Sequence, residues 1–227
     1  MPSRQVFLDF GGTLVSEPPD PYPTFRSVLG AEGFELSRER YLEADRIASA
    51  RIEPMRYRQL GQSPSFLDLS IIETLRELGI ADPSGRIVIR LHGEFTSPEW
   101  RPVYPETVRV LETLSESKVP VHLISNSTDM LVETIARRGW DRFFRSVTFT
   151  QEAGAEKPAP AAFHLALARA RCPAAEALHV GDSWVADYLG ASRIGMRAVW
   201  LNRSGRPPPE PCESARDLTG VLPLIAK

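Results

Sequence analysis

The chain has 227 residues, of which 42% are hydrophobic and 25% charged, a composition typical of a globular protein. Its formal net charge of −2 and pI of about 6.1 exclude a chain-wide basic field that would attract nucleic acid or an anionic membrane surface. Two cysteines are too few for a disulfide framework, and the lack of a signal-peptide pattern or a membrane-length apolar run predicts a cytoplasmic protein with no membrane partner.

The first predicted element is a short strand at residues 6–8. Its three residues are all apolar, which is typical of a strand covered on both faces of a parallel sheet. The strand ends on Asp9, and the segment Phe10-Gly11-Gly12-Thr13 follows at once. A carboxylate at the end of a buried strand, followed by a glycine turn, is where open α/β sheets place their chemistry.

Helical patterns dominate from about residue 22 to about residue 100. Residues 39–51 and 66–78 carry apolar side chains at helical spacing, and Gly79 closes the second of these helices. Residues 86–95 are ambiguous because their apolar residues alternate as in a strand, but their helical surroundings favour a helix. This block predicts a small helical unit.

Strands and helices alternate from Pro102 onward. The predicted strands are 119–124, 146–149, 177–180 and 197–201. The predicted helices are 105–118, 128–138, 159–171, one that begins at about 187, and a short terminal one that begins at about 214. Such alternation predicts an α/β fold, with a Rossmann-like parallel sheet and helices on both faces.

Polar residues end three of the predicted strands, namely Asp9, Ser125 and Asp182. Parallel strands bring their carboxyl ends to one edge of a sheet, so these residues can converge with Lys157 and Asp187 in one crevice. The carboxylates would repel one another unless a lysine and a divalent cation balanced them. Because Mg²⁺ favours carboxylates together with phosphate and water, the pattern indicates an aspartate-based site around a phosphate.

At this point the chain resembles the haloacid dehalogenase superfamily of hydrolases, whose four motifs occur here in order. Asp9-Phe10-Gly11-Gly12-Thr13 resembles the first motif, Asp-x-Asp-Gly-Thr, and Ser125-Asn126 after an apolar strand resembles the second. Lys157-Pro158 resembles the third, and Gly181-Asp182-Ser183 with the later Asp187 resembles the fourth. The match covers residues 1–15 and 102–227.

The resemblance implies a role for each motif residue. Asp9 attacks phosphorus and forms an aspartyl-phosphate, Ser125 contacts a phosphoryl oxygen, and Lys157 balances charge. The phosphate lies against Phe10, Gly11, Gly12, Ser125, Asn126 and Lys157. The implied metal is Mg²⁺, held by Asp9, the Gly11 carbonyl and Asp182, with Asp187 supporting the metal or Lys157. The substrate is a small phosphorylated metabolite.

The resemblance also implies two domains, a core of residues 1–15 and 102–227 and a helical cap of residues 16–101 inserted after the first strand. Only 31 residues separate Ser125 from Lys157, which leaves no room for the family's other cap position. We expect a monomer or a homodimer.

Gly11 departs from the family pattern, because phosphatases of this family place an aspartate there as general acid and base. Glycine keeps the backbone carbonyl but cannot transfer a proton. The open readings are a phosphatase with an altered acid–base step and a phosphate-binding or regulatory protein with little turnover. A dehalogenase is less favoured because it carries tyrosine at this position. A phosphonate hydrolase is less favoured because it needs a cap lysine, and no lysine precedes residue 118.

Other residues of the first linker and the cap are weaker candidates. Glu17, Asp20 and Glu53 could replace the missing acid and base, although each is more simply a solvated acid. The arginines that flank Pro54 could hold an anionic substrate, although a solvated cap face is the simpler interpretation; they are Arg51, Arg56 and Arg58.

Overall fold

A computed structural model of the chain describes residues 5–55 and 64–225, and these residues divide into two compact units. The first unit comprises the described parts of Met1–Glu17, Pro102–Ser127 and Gly139–Lys227. The second comprises those of Pro18–Arg101 and Thr128–Arg138. The structure therefore groups residues 16–17 with the first unit and 128–138 with the second, whereas the sequence prediction drew the cap at 16–101.

The first unit contains a six-stranded parallel sheet, which confirms the predicted α/β fold. In chain order the strands are β1 Gln5–Leu8, β2 Val121–Ser125, β3 Ser146–Phe149, β4 Ala177–Gly181, β5 Arg197–Leu201 and β6 Ser214–Ala215. The predicted helix from residue 214 is wrong at its start, because Ser214–Ala215 pairs with the end of β5 through Trp200 and Leu201.

The α-helices, in chain order, are α1 Tyr22–Ala31, α2 Arg38–Ile52, α3 Phe66–Glu77, α4 Arg86–Thr96, α5 Thr107–Glu116, α6 Met130–Arg137, α7 Thr150–Ala153, α8 Pro160–Ala170, α9 Gly190–Arg193 and α10 Leu222–Ile225. A π-helix, Trp184–Leu189, leads into α9. Short 3₁₀ helices occupy Glu53–Met55, Asp141–Phe143, Ala174–Glu176 and Leu218–Val221. None of the described helices has both the length and the apolar character needed to cross a membrane.

The strand order β3-β2-β1-β4-β5-β6 places β1 at the centre of the sheet. Leu8, the last residue of β1, is in register with Leu123 of β2 on one side and with Val180 of β4 on the other. The chain builds outward from β1 to β3 and then returns to the opposite side of β1 with β4. In such a sheet the crevice at this reversal, beyond the carboxyl ends of the strands, is the favoured ligand site.

Burial of apolar side chains explains how each of the two units packs. The side chains of Val6, Phe7 and Leu8 are at most 1% exposed, so both faces of β1 are covered, as its unbroken apolar run predicts. In the second unit, α4 buries Ile87 and Leu91 but leaves Ile89 exposed, which confirms the favoured helix for this ambiguous stretch. A buried core cluster joins α1, α2, α3 and α4 there.

Candidate active site

Asp9 follows β1 directly and lies at the reversal between β1 and β4. Its backbone N–H donates to the carbonyl oxygen of Val180 at 2.9 Å, which holds the residue against β4. The side chain is almost fully buried. Burial raises the pKa of Asp9, while the ammonium of Lys157 opposes that rise and the carboxylate of Asp187 adds to it. An ionised Asp9 therefore depends on positive charge beside it.

Lys157 supplies positive charge at this position. Its Nζ donates to Asp9 Oδ1 at 2.7 Å, to Asp187 Oδ1 at 2.5 Å and to the carbonyl oxygen of Ile124 at 3.0 Å, which uses all three ammonium donors. Burial acts to lower the pKa of Lys157, but the two carboxylates outweigh burial and raise it above its usual range. The side chain is 4% exposed, so the ammonium is a fixed, buried charge.

Asn126, which directly follows β2, holds the backbone of Lys157 in place. Asn126 Nδ2 donates to the Lys157 carbonyl oxygen at 3.1 Å, and Asn126 Oδ1 accepts from the Lys157 N–H at 2.8 Å. The Lys157–Pro158 peptide bond is cis. Ser125, which precedes Asn126, is buried at the last position of β2. The Asn126 carboxamide therefore acts on Lys157, and the phosphate contacts predicted for Ser125 and Asn126 stay predictions.

Asp187 is 1% exposed and has partners for both carboxylate oxygens. Oδ1 accepts from Lys157 Nζ and from His179 Nε2, the latter at 3.0 Å, and Oδ2 accepts from the Ser183 N–H at 3.0 Å. Burial acts to raise the pKa of Asp187, but Lys157 and His179 outweigh burial and lower it below its usual range. Asp187 anchors Lys157, and its predicted contact with the metal stays a prediction.

Asp182 follows β4 on the opposite side of Asp9 from the β2 segment. Trp200 Nε1 donates to the Asp182 carbonyl oxygen at 2.9 Å and so fixes the backbone here. Burial raises the pKa of Asp182 to about 7, and the charges of Asp9, Asp187 and Glu17 add to the effect. Negative charge at this edge of the sheet is therefore only partly neutralised.

A divalent cation fits this donor set. Asp9, Asp182 and Asp187 each offer a carboxylate oxygen, and these three atoms lie within 4.8 Å of one another. Carboxylate oxygens are the hard ligands that Mg²⁺ and similar cations prefer. Burial chiefly raises the pKa of Asp9 and of Asp182, and neighbouring carboxylates add to the rise; a bound cation would offset both effects.

The glycine turn after Asp9 packs directly against Asp182. Gly12 has a φ of +70°, and a Cβ at this position would lie 2.3 Å from Asp182 Oδ2. A side chain at residue 12 is therefore excluded both by its backbone conformation and by the metal-site carboxylate. Phe10 is buried, and Gly11 pairs with Val15 in an isolated bridge. The turn thus brings Gly12 to Asp182, and the phosphate contacts predicted for Phe10, Gly11 and Gly12 and the metal contact predicted for Gly11 stay predictions.

Glu17, one of the three acids considered as substitutes for an aspartate at position 11, belongs to the first unit, as the acidic cluster does. Glu17 lines a cavity of about 390 Å³ together with Gly12 and Asp182, and its charge contributes to the raised pKa of Asp182. Asp20 instead pairs with Arg38 at 2.7 Å in the second unit. Glu53 is exposed in a 3₁₀ helix of the same unit.

Of the three cap arginines considered as anion ligands, only Arg51 lies among the described residues. Arg51 pairs with Glu73 at 2.9 Å and with Glu77 at 2.5 Å, both within the second unit. Arg56 and Arg58 lie outside the described residues.

Sequence reasoning missed two residues that contact the site. His179 donates to Asp187, and the available signal was a polar residue inside the otherwise apolar strand β4. Arg203 donates to the backbone carbonyl oxygens of Gly12 and Thr13 at 3.0 and 2.7 Å. No pattern near Arg203 indicated this contact, because it joins residues far apart in the sequence.

Comparison with known proteins places these observations in a family context. Residues 4–195 match the family model of the haloacid dehalogenase-like hydrolases. Haloacid dehalogenase-like hydrolase domain-containing protein 3 of Danio rerio is 29% identical over 133 residues, which are 58% of this chain and 55% of that protein. The chain thus aligns with little more than half the length of this relative.

Two further proteins align along nearly their whole length. Phosphoserine phosphatase of Thermus thermophilus is 29% identical over 242 residues, covering 95% of this chain and 94% of that protein. The crystal structure of a 2-haloacid dehalogenase from Pseudomonas syringae pv. Tomato DC3000 superposes with a TM-score of 0.76 at 23% identity, covering 98% of this chain and 97% of that one. At this identity the second likeness is one of fold.

Proposed function

The chain belongs to the haloacid dehalogenase-like hydrolase family, and on that premise we propose that it is a magnesium-dependent phosphatase of a small phosphate monoester. The observation that carries the proposal is the buried Asp9–Lys157–Asp187 arrangement beside Asp182. It combines a nucleophilic carboxylate, a fixed ammonium and an acidic cluster that fits a divalent cation. The alignment with a phosphoserine phosphatase over most of both chains supports phosphate chemistry.

Asp9 carries the covalent step of the proposed reaction. A carboxylate oxygen of Asp9 bonds to phosphorus while the ester P–O bond breaks and the alcohol leaves. Water then attacks phosphorus, the bond to Asp9 breaks, and inorganic phosphate is released. Lys157 holds Asp9 in place and stabilises the negative charge that builds up on the phosphoryl oxygens. Asp9, Asp182 and the Gly11 carbonyl would hold Mg²⁺, which would supply further positive charge for the phosphoryl oxygens.

Both proton transfers need a group other than residue 11. We assign them to Glu17, because Glu17 lines the same cavity as Gly12 and Asp182. The cavity also leaves room for the organic part of a small ester, since about 390 Å³ is within the range of small-molecule sites. Trp184 and Trp200 form part of its wall.

Phosphate release from a panel of phosphate monoesters, with and without Mg²⁺, tests the proposal. We expect release that requires Mg²⁺ and is abolished in Asp9→Asn, a variant that keeps the shape of the side chain and removes its nucleophilic charge. Glu17→Gln should lower turnover by about 10²–10⁴-fold if Glu17 transfers the protons. Release that continues in Asp9→Asn would rule out the aspartyl-phosphate route.

A phosphate-binding or regulatory protein is the second candidate, and Gly11 is the observation that favours it. Such a protein keeps Asp9, Lys157 and the acidic cluster but lacks the usual acid and base. It would bind vanadate or inorganic phosphate in the presence of Mg²⁺ and release no phosphate from any member of the panel. Binding measured by calorimetry beside the release assay separates the two functions.

A further inference from the structure

Arg203 connects the glycine turn to two other segments of the first unit. Its Nε donates to the Gly12 carbonyl oxygen at 3.0 Å and its Nη2 to the Thr13 carbonyl oxygen at 2.7 Å. Its Nη1 pairs with Glu106 Oε1 at 2.8 Å, and the guanidinium carbon lies 3.5 Å from the centre of the Tyr104 ring. One planar cation thus binds the turn, an acid and an aromatic face at the same time.

The segment that anchors Arg203 also holds the chain just beyond the turn. Thr107 Oγ1 donates to the Leu14 carbonyl oxygen at 2.8 Å, and the Ser16 N–H donates to the Pro102 carbonyl oxygen at 2.8 Å. Residues 102–107 therefore fix residues 14–16 directly and residues 12–13 through Arg203. The Arg203 guanidinium therefore adds hydrogen bonds at residues 12–13 to those that residues 102–107 make at residues 14–16.

The backbone position of this turn is tightly constrained by its contact with Asp182. Gly12 lies so close to Asp182 that a Cβ there would be 2.3 Å from its carboxylate. A small rotation of the 12–13 peptides would therefore displace Asp182 or the Gly11 carbonyl, the two groups that the proposed metal site draws from this turn and from β4. Arg203 bonds to the two carbonyls that immediately follow Gly11, so it is placed to prevent such a rotation.

We propose that Arg203 is a positioning residue that holds the Gly11–Thr13 turn in its cation-binding conformation. This inference rests on the proposed function, because it presumes that Asp182 and the Gly11 carbonyl share one Mg²⁺. A lysine at residue 203 cannot replace the arginine, since a single ammonium cannot bind two successive carbonyls, Glu106 and the Tyr104 ring in the same geometry.

Mg²⁺ affinity measured by calorimetry tests the inference, with Arg203→Met, Arg203→Lys and Glu106→Gln as variants. Arg197 provides matched controls. Arg197 lies at the other end of β5, where its Nε donates to Glu213 Oε1 at 2.9 Å and its Nη1 to the Leu224 carbonyl oxygen at 2.7 Å, away from the acidic cluster. Arg197→Met and Arg197→Lys thus remove a similar network without touching the turn.

We expect both Arg203 variants to weaken Mg²⁺ binding by about 10–100-fold, the usual cost of losing a group that orients a metal ligand. Glu106→Gln removes one charged partner of Arg203 and should weaken Mg²⁺ binding less. This variant still tests the inference if Arg203→Met fails to fold. The Arg197 variants should lose stability but bind Mg²⁺ normally. Normal affinity in the folded Arg203 variants, or equal losses in the Arg203 and Arg197 sets, would overturn the inference alone. A wild-type protein that binds no Mg²⁺ would overturn the proposed function as well.

Discussion

Replacement of Lys157 by methionine should destabilise the fold, because it removes the cation between two buried carboxylates. Asp9 and Asp187 are 6% and 1% exposed, and each accepts from Lys157 Nζ. Removal of one partner from a buried ion pair costs about 3–5 kcal/mol, since the remaining charge is left without compensation. We expect Lys157→Met to lose about that much of its free energy of unfolding at pH 8.

Urea unfolding in the presence of EDTA measures this loss without a contribution from bound metal. Lys118→Met is the matched control, because Lys118 is exposed, and it should change the free energy by no more than about 0.5 kcal/mol. The loss in Lys157→Met should shrink toward pH 5, where the stranded carboxylates take up protons. Adding Asp187→Asn should recover part of it. A loss below about 1 kcal/mol at pH 8, with an unchanged urea dependence, would refute the view that Lys157 compensates both carboxylates.

Three further predictions concern turnover, the metal and pH. With an activated aryl phosphate, rapid mixing should show a burst near one equivalent in Glu17→Gln, because loss of the assigned base slows hydrolysis of the aspartyl-phosphate, and the same burst in the wild type would contradict the assignment of Glu17. Asp182→Ala should abolish the single Mg²⁺ site seen by calorimetry, and an unchanged isotherm would exclude Asp182 as a ligand. Burial, with Arg145 nearby, lowers the pKa of His122 to about 4, so its contribution to stability is complete above pH 6.5 and falls as the pH drops toward 4. The wild type should lose roughly 2 kcal/mol more than His122→Gln between pH 7 and pH 5, and parallel pH profiles would show that His122 does not titrate as expected.

The architecture of the first unit could be predicted largely from local patterns. Burial on both faces of a parallel strand requires continuous apolar runs, and residues 6–8 show one. Because parallel strands end at one edge, the polar residues that end β1, β2 and β4 had to lie near one another, and the structure brings Asp9, Ser125 and Asp182 to that edge.

Weak local signals explain the errors and uncertainties. The strand Ser214–Ala215 has two residues, too short to show any periodicity, and only its pairing with β5 makes it a strand. Residues 86–95 alternate in polarity by coincidence, and packing of Ile87 and Leu91 in the core of the second unit decides for a helix. The grouping of α6 with the second unit also depends on tertiary contacts, which no local pattern reports.

The sequence by itself determined that the polar residues that end three parallel strands, Asp9, Ser125 and Asp182, meet at one edge of the sheet. It left open what each group contacts, because those contacts join residues far apart along the chain. Lys157 and Asp9 are separated by 148 positions, and Arg203 and Gly12 by 191. Local propensity and periodicity act over a few residues, whereas such hydrogen bonds form only after the sheet has brought the two segments together. Only the tertiary structure could therefore assign Asn126 to the backbone of Lys157, both oxygens of Asp187 to chain donors, and Arg203 to the glycine turn.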